Sequence, residues 1–410
     1  MVLNYIFVGF FVIAFVMALG HLFLTGDFLI FERIMKACFD QSKNGFEISL
    51  YLTGVLCLWL GLLKIAERTG IIQTLASWAS PLLSILFPSV PKNHPAMGNI
   101  FMNISANMLG LDNAATPLGL KTMESLQSLN PRKEEPTDAM LMFLGLNASG
   151  LTIIPSSVIA FRMQAGAVNP ADVFLPILMA TTASTLVVML LMAIKQRINL
   201  WRRPMIMFLL VVLSLFASIV WLGAQLPPEE FSRISTGISS MVLVGIILAF
   251  VFGGVRRRIN VYESFIEGAK EGFSTAVGII PYLIAMLVGI GVFRASGAMD
   301  LFAEGLLSLF ESLGWDSRWV EALPTMLMKP LSGSGARGLM VDAMQTHGAD
   351  SFVGRLACTV QGASDTTFYI IALYFGAIGI RRTAYAVPYS LLADLAGAVT
   401  ATLVTYLFFA

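Results

Sequence analysis

The stretch "MKPLSGSGARGLMVDAM", residues 328–344, places Gly333, Gly335 and Gly338 at the spacing G-x-G-x-x-G. That spacing cradles a dinucleotide only where it follows a buried strand and opens the helix of a βαβ unit, because the pyrophosphate is held by free N–H groups at that helix start. No strand pattern precedes Met328. The glycines need another explanation, and the rest of the chain supplies it.

Of the 410 residues, 57% are hydrophobic and 12% charged, and the mean hydropathy is +0.79. Soluble domains run at about 45–50% apolar and about 25% charged. The composition therefore implies an all-α polytopic membrane protein. A net charge of +1 leaves no broad basic face for nucleic acid. Cys38, Cys57 and Cys358 have neither C-x-x-C nor His-rich spacing, which argues against structural zinc and a disulfide framework. His21, His94 and His347 are too dispersed to nominate a metal site. No cofactor is expected, and the chain is not expected to be an enzyme.

Apolar runs of about 20 residues read as membrane spans. They fall at Val2 to Leu19, Phe46 to Ala66, Val173 to Ile194, Met205 to Gly223, Thr236 to Gly253, Phe273 to Phe293 and Thr383 to Phe409. The first lacks a basic n-region and an A-x-A site, so it reads as a retained helix rather than a signal peptide. Four further stretches are apolar but interrupted by Asn, Ser, Gly and Pro near their middles: residues 96–129, 139–163, 321–344 and 351–378.

An internal repeat accounts for the pattern. "DQSKNGF" (40–46) aligns with "EGAKEGF" (267–273), and "RTGIIQTLA" (68–76) with "ASGAMDLFA" (295–303). "NAATPLGL" (113–120) then meets "SGSGARGL" (332–339), "ASGLTII" (148–154) meets "ASDTTFY" (363–369), and Pro176 meets Pro388. The matches come in chain order, which divides the chain into a first repeat (1–195), a linker with an extra span (196–235) and a second repeat (236–410). Each unit contains spanning helices separated by an amphipathic segment, then a re-entrant hairpin, a broken transmembrane helix and a final span. Such a unit crosses four times, so the extra span between the copies inverts the second. Lys and Arg test the arrangement, because cytoplasmic loops are enriched in both. With the N-terminus inside, Lys64, Arg68, Arg132, Lys133, Arg202, Arg203 and Arg256 to Arg258 fall on the cytoplasmic side, and basic residues there outnumber those outside. The expected location is the cell's inner (plasma) membrane, N-terminus cytoplasmic and C-terminus external.

Backbone that leaves helical geometry at membrane depth must be buried in protein or line a watery cavity. Breaks at corresponding places in two inverted halves mark the binding site of a secondary transporter. Gly333 and Gly335 then form a hairpin tip, and Ser332 or Ser334 caps the helix that follows.

At this point "NISANMLGLDNAATPLGLKTM" in the first half resembles spore maturation protein A. "PLSGSGARGLM" with "GRLACTVQGASDTTFYIIALYFGAIGIRR" in the second resembles spore maturation protein B. The likeness is that of a fusion of the two, within the family carrying the nucleoside recognition, or Gate, domain. The resemblance implies hairpins and broken helices like those of concentrative nucleoside transporters. A relative with this domain is implicated in moving dipicolinate, so the resemblance also makes a small carboxylate a candidate solute. The chain has no counterpart of the acidic hairpin motif that nucleoside carriers use on the ribose.

The hairpins offer Asn103, Ser105, Asn107, Asn113 and Thr116 against Ser332, Ser334 and Arg337. The broken helices offer Asn147 and Ser149 against Gln361, Ser364 and Thr366. These are the expected solute ligands, with Asp112, Asp342, Asp365 and Thr367 for a coupling ion. Isolated Ser and Thr also have a bland role as glue between membrane helices, at about 0.6 kcal/mol each. Ionisable groups such as Arg337 and Asp365 are expensive in a membrane and mark function by default. Asp394 in the last span is either a proton relay or a lock on that helix. The leading expectation is an ion-coupled transporter of a small polar or anionic solute, with an envelope scaffold or regulatory partner and a lipid or headgroup translocase as the alternatives. Expected partners are the solute, Na+ or H+, the bilayer and further copies of the chain in a homo-oligomer, but no nucleic acid.

Overall fold

Lipid cannot satisfy backbone N–H and C=O groups, so a chain this apolar must pair them within its own helices. The computed structural model describes residues 2–91, 93–110, 112–299, 301, 304 and 316–409. Side chains at 2–4, 6, 51, 52, 72, 112–114, 228, 229, 232, 279 and 282 lie outside the described set. Among the described residues every regular element is helical.

In chain order these are α1 (Val2–Thr25), α2 (Leu29–Arg68), α3 (Ile71–Leu86), α4 (Pro95–Met108), α5 (Asp112–Ser128), α6 (Asp138–Ser149), α7 (Ser156–Gln164) and α8 (Phe174–Lys195). Then follow α9 (Arg203–Gln225), α10 (Pro228–Arg256), α11 (Val261–Ala295), α12 (Leu323–Met328), α13 (Gly333–His347), α14 (Phe352–Ala363), α15 (Thr367–Ala377) and α16 (Ala386–Phe409). Seven of them, α1, α2, α8, α9, α10, α11 and α16, are long and apolar enough to cross a membrane. They coincide with the seven apolar runs. The protein is a multi-pass membrane protein.

One expectation changes in detail. The amphipathic segments are not separate: "DQSKNGF" lies inside the 40-residue α2, and "EGAKEGF" inside the 35-residue α11. Their polar residues have local uses that leave the helix intact. Asn44 Nδ2 donates to Gln345 Oε1 at 3.0 Å, and Lys64 forms ion pairs with Glu267 (3.5 Å) and Glu271 (3.0 Å).

The long helices pair antiparallel. On α2 and α11, Gln41 meets Gly291, Gly45 meets Ile284, Cys57 meets Gly272 and Lys64 meets Gly268, so numbers fall on one helix as they rise on the other. On α8 and α16, Ser184 meets Gly397, while Gln196 Nε2 donates to Tyr385 Oη at 3.0 Å. Glycines at these crossings let backbones approach where a Cβ would collide: one added to Gly272 would come within 2.7 Å of the Leu56 carbonyl oxygen. Against α8 and α16 pack two 12-residue helices, α6 and α14. From Ala139 to Ser149 every residue of α6 is buried, as expected of a helix apolar on all sides at the centre of a bundle. By contrast Val12, Phe15 and Val16 of α1 and Met207, Leu210 and Val211 of α9 are exposed large apolar side chains, suited to lipid.

Helix ends are set by recognisable caps. The side chain of Thr137 accepts from Met140 N (3.3 Å), that of Ser351 from Gly354 N (2.9 Å) and that of Ser332 from Gly335 N (3.0 Å). Gly150, at φ +56°, ends α6 in the left-handed region that glycine adopts without strain.

Candidate functional site

Helices of 12 and 9 residues (α6, α7) or 12 and 11 residues (α14, α15) rise only about 14–18 Å each, so none alone crosses a hydrocarbon core of about 30 Å. The interruptions are residues 150–155 and 364–366. Two helical hairpins dock onto them, α4–α5 with its tip near Gly110 and α12–α13 with its tip at 329–332. Ile153 N donates to Met108 O at 2.7 Å at the first, and Phe368 N donates to Pro330 O at 3.1 Å at the second. The breaks also touch each other: Asp365 N donates to Ala148 O at 2.8 Å, and a Cβ on Gly150 would come within 2.9 Å of Asp365 N. Four departures from helical backbone thus meet at one place.

A cavity of about 350 Å³ opens there, and both halves wall it. Asn107, Thr116, Asn147 and Thr152 come from the first half, and Lys329, Arg337, Gln361, Ser364, Asp365, Tyr369 and Tyr374 from the second. Asn107 Nδ2 donates to Asn147 Oδ1 at 2.8 Å, and Asn147 Nδ2 donates to Phe143 O at 2.9 Å. The amides are thereby oriented rather than loose. Gln361 Oε1 is buried with no hydrogen-bond partner among the described residues. Arg337 lies over the Phe161 ring, 5.8 Å from its centroid. Two cations and one carboxylate share the walls, a set suited to a polar solute with at least one negative group.

Of the residues expected from sequence, Asn107, Thr116, Asn147, Arg337, Gln361, Ser364 and Asp365 line this cavity. The other described ones do not line it. Asn103 Nδ2 donates to Ala115 O at 2.8 Å, staying inside its hairpin. Ser105 is buried, its hydroxyl without a partner among the described residues. Ser149 accepts from Thr185 Oγ1 at 3.1 Å. Ser332 is the cap of α13, with Ser334 Oγ 3.2 Å from its hydroxyl. Thr366 N donates to Asp365 Oδ1 at 2.6 Å. Asp342 pairs with Arg294 at 2.5 Å beneath a separate 240 Å³ recess. Thr367 Oγ1 donates to Asp394 Oδ2 at 2.7 Å. The side chains of Asp112 and Asn113 lie outside the described residues. Sequence reasoning passed over Lys329, Ser156, Ser157, Tyr369 and Tyr374. Lys329 carried the usual signal, a charge within an apolar hairpin; the tyrosines sit in apolar helices and look like core.

A second recess of about 480 Å³ lies on the outer face of the second hairpin. Leu327, Leu395, Val399 and Leu403 line it and are exposed, so it is a crevice toward lipid. Its polar lining is Lys329, Ser364, Asp394 and Thr402, and the first two also wall the central cavity.

The nucleoside recognition (Gate) family matches residues 49–165 and again 276–381. The chain is similar to spore maturation protein B of Bacillus subtilis (strain 168), 43% identical over 181 residues, 44% of this chain and 98% of that protein. It is also similar to spore maturation protein A of the same organism, 43% identical over 153 residues, 37% of this chain and 78% of that protein. A fused A and B chain accounts for both likenesses. No solved structure matches.

Proposed function

This chain belongs to the nucleoside recognition (Gate) family, and from that premise we propose that it is a secondary transporter made of two inverted repeats. The first is α1–α8 and the second α10–α16, with α9 between them. The contacts of α2 with α11 support the inversion. Gly45 and Gly272 are 227 residues apart, as are Cys57 and Ile284, so shifting by that interval turns the contact Gly45–Ile284 into Cys57–Gly272. The same shift turns Gln41–Gly291 into Lys64–Gly268. Antiparallel contacts that exchange in this way are what a two-fold axis lying across both helices would produce, with one copy upside down relative to the other. In this reading α4–α5 and α12–α13 are re-entrant hairpins, α6–α7 and α14–α15 are crossing broken helices, and the N-terminus is cytoplasmic in the plasma membrane.

The observation that carries the reading is the polar cavity where both hairpin tips and both breaks converge, with walls drawn from each half. Its occupant is a small polar solute with a carboxylate, held by Arg337 and Lys329 and oriented by the amides of Asn107, Asn147 and Gln361. Its movement is coupled to a cation. The test is uptake by the purified chain in liposomes, with dipicolinate, other small carboxylates and nucleosides as probes. Carboxylates accumulate, and Arg337→Ala weakens their affinity by about tenfold or more, as loss of a charge-assisted hydrogen bond requires. Arg337→Lys, which keeps charge but not the fork, falls between. No uptake and no thermal stabilisation by any probe would leave the scaffold reading in its place. The lipid crevice favours a second reading, headgroup translocation. It predicts movement of labelled lipid between leaflets of the same liposomes with no solute uptake.

A further inference from the structure

Asp394 sits in α16, the last membrane helix, and is 7% exposed. One carboxylate oxygen, Oδ2, accepts the Thr367 hydroxyl at 2.7 Å. The other, Oδ1, is buried and, although the Ser364 hydroxyl also stands beside the carboxylate, has no hydrogen bond of ordinary geometry among the described residues. One turn back on α16 the Ser390 hydroxyl is also buried and without one. An ionised carboxylate held this way is costly, whereas a carboxylic acid at the same place loses its charge and gains a donor. The charged groups that face Asp394 are Lys329 from the tip of the second hairpin and Asp365 from the break. Among the described residues the helices packed around it direct their charged groups elsewhere. Asp138 of α6 is bonded to Tyr385, Lys195 of α8 lies over the Tyr385 ring and Arg355 of α14 is held by Asp172.

We propose that Asp394 is a proton-binding site inside the membrane and that Lys329, walling both the crevice and the central cavity, links its protonation to the solute. The inference rests on the transporter reading and names its coupling ion as H+. With the cavity empty, the Lys329 ammonium balances an ionised Asp394. When an anionic solute enters and takes up that ammonium, Asp394 loses its counter-charge and binds one proton from the water that the cavity faces. Solute anion and proton enter together, so the neutral pair of charges is replaced by another neutral set. Both leave together on the other side.

The test uses dicyclohexylcarbodiimide, an apolar reagent that reaches the site through the crevice from lipid. A protonated carboxyl adds to it to form a stable acylurea, and no group leaves. On the full chain in liposomes, peptide mapping detects an adduct on Asp394 at acid pH, falling by about tenfold per pH unit on the alkaline side. In Lys329→Gln the adduct persists at an alkaline pH where the wild-type chain shows little, because the balancing cation is gone. Absence of the adduct at every pH overturns the proton site, on wild-type protein alone. An unchanged pH profile in a folded Lys329→Gln overturns the link through Lys329. Transport separates this inference from the reading beneath it. Accumulation that ignores a pH gradient and survives Asp394→Asn sinks the proton and leaves the transporter standing; an intact adduct profile with no uptake of any probe does the reverse.

Discussion

The two ends of the molecule occupy equivalent places in the proposed repeat and are built very differently. At one end the start of α14 meets the α7–α8 loop. There Arg162, with a fully buried side chain, pairs with Asp172 at 2.8 Å and Asp350 at 2.9 Å and donates to Ala349 O at 2.7 Å. Arg355 closes the group on Asp172 at 2.8 Å and lies 4.5 Å from the Phe409 ring centroid. Burial pushes the Asp172 carboxyl above its ordinary value, against the pull of Arg162 and Arg355. At the other end the start of α6 meets the α15–α16 loop. The contacts there are an exposed Arg382–Glu135 pair at 3.3 Å and a Tyr385 hydroxyl donating to Asp138 at 2.7 Å. In the proposed repeat the two ends share one backbone plan, and their side chains make the Arg162 end the costly one to part. The proposed carrier is therefore expected to open first at the Arg382 end.

The sharpest way to break this comparison is Arg162→Ala. It takes from the buried Asp172 one of its two arginines and from Asp350 the nearer of its two, leaving Arg355 to serve both, and is expected to cost about 3 kcal/mol, read as a large fall in melting temperature of the detergent-solubilised protein. A loss no bigger than that of a surface substitution would make the ends energetically alike. Tyr385→Phe at the other end removes one hydroxyl that also accepts from Gln196, for an expected loss of about 1 kcal/mol in the same melt. Arg382→Ala should change stability by less than about 0.5 kcal/mol, because its partner and its own side chain stand in solvent. Only the order of the three matters: Arg382→Ala exceeding Arg162→Ala would reverse which end is the lock.

The seven spans were legible because an uninterrupted apolar run has one economical structure in lipid. The break at Gly150 was legible for the complementary reason, since glycine interrupts a run otherwise long enough to continue, whereas Gly333 and Gly335, expected at a hairpin tip, lie inside α13 and the turn comes earlier, at 329–332 around Pro330. The polar segment "DQSKNGF" read as an interruption too. Helix α2 continues through it because its polar side chains find partners such as Gln345, and propensity penalties of up to about 1 kcal/mol per residue are too small to break so long a helix. Arg337, Asp365, Gln361 and Asn147 reached the cavity as their polarity implied. Ser332 caps α13, as its place before the hairpin's second arm implied, and does not line the cavity it was also expected to serve. Tyr374 was illegible: its ring reads as core, while its hydroxyl lies 3.4 Å from Asn147 Oδ1.

The 40 residues of α2 span about 60 Å, twice the roughly 30 Å of a bilayer's hydrocarbon. Helix α11 lies along it from Gln41 to Lys64, so the two cannot swing apart like scissors and move as one beam. A beam that long tilts or protrudes, and either way its ends stand far from its pivot. With arms of about 30 Å, a rotation of roughly 10° displaces each end by about 5 Å, close to the rise of one helical turn. Such a lever would convert a small shift at its centre into a step large enough to move side chains past one another at both surfaces.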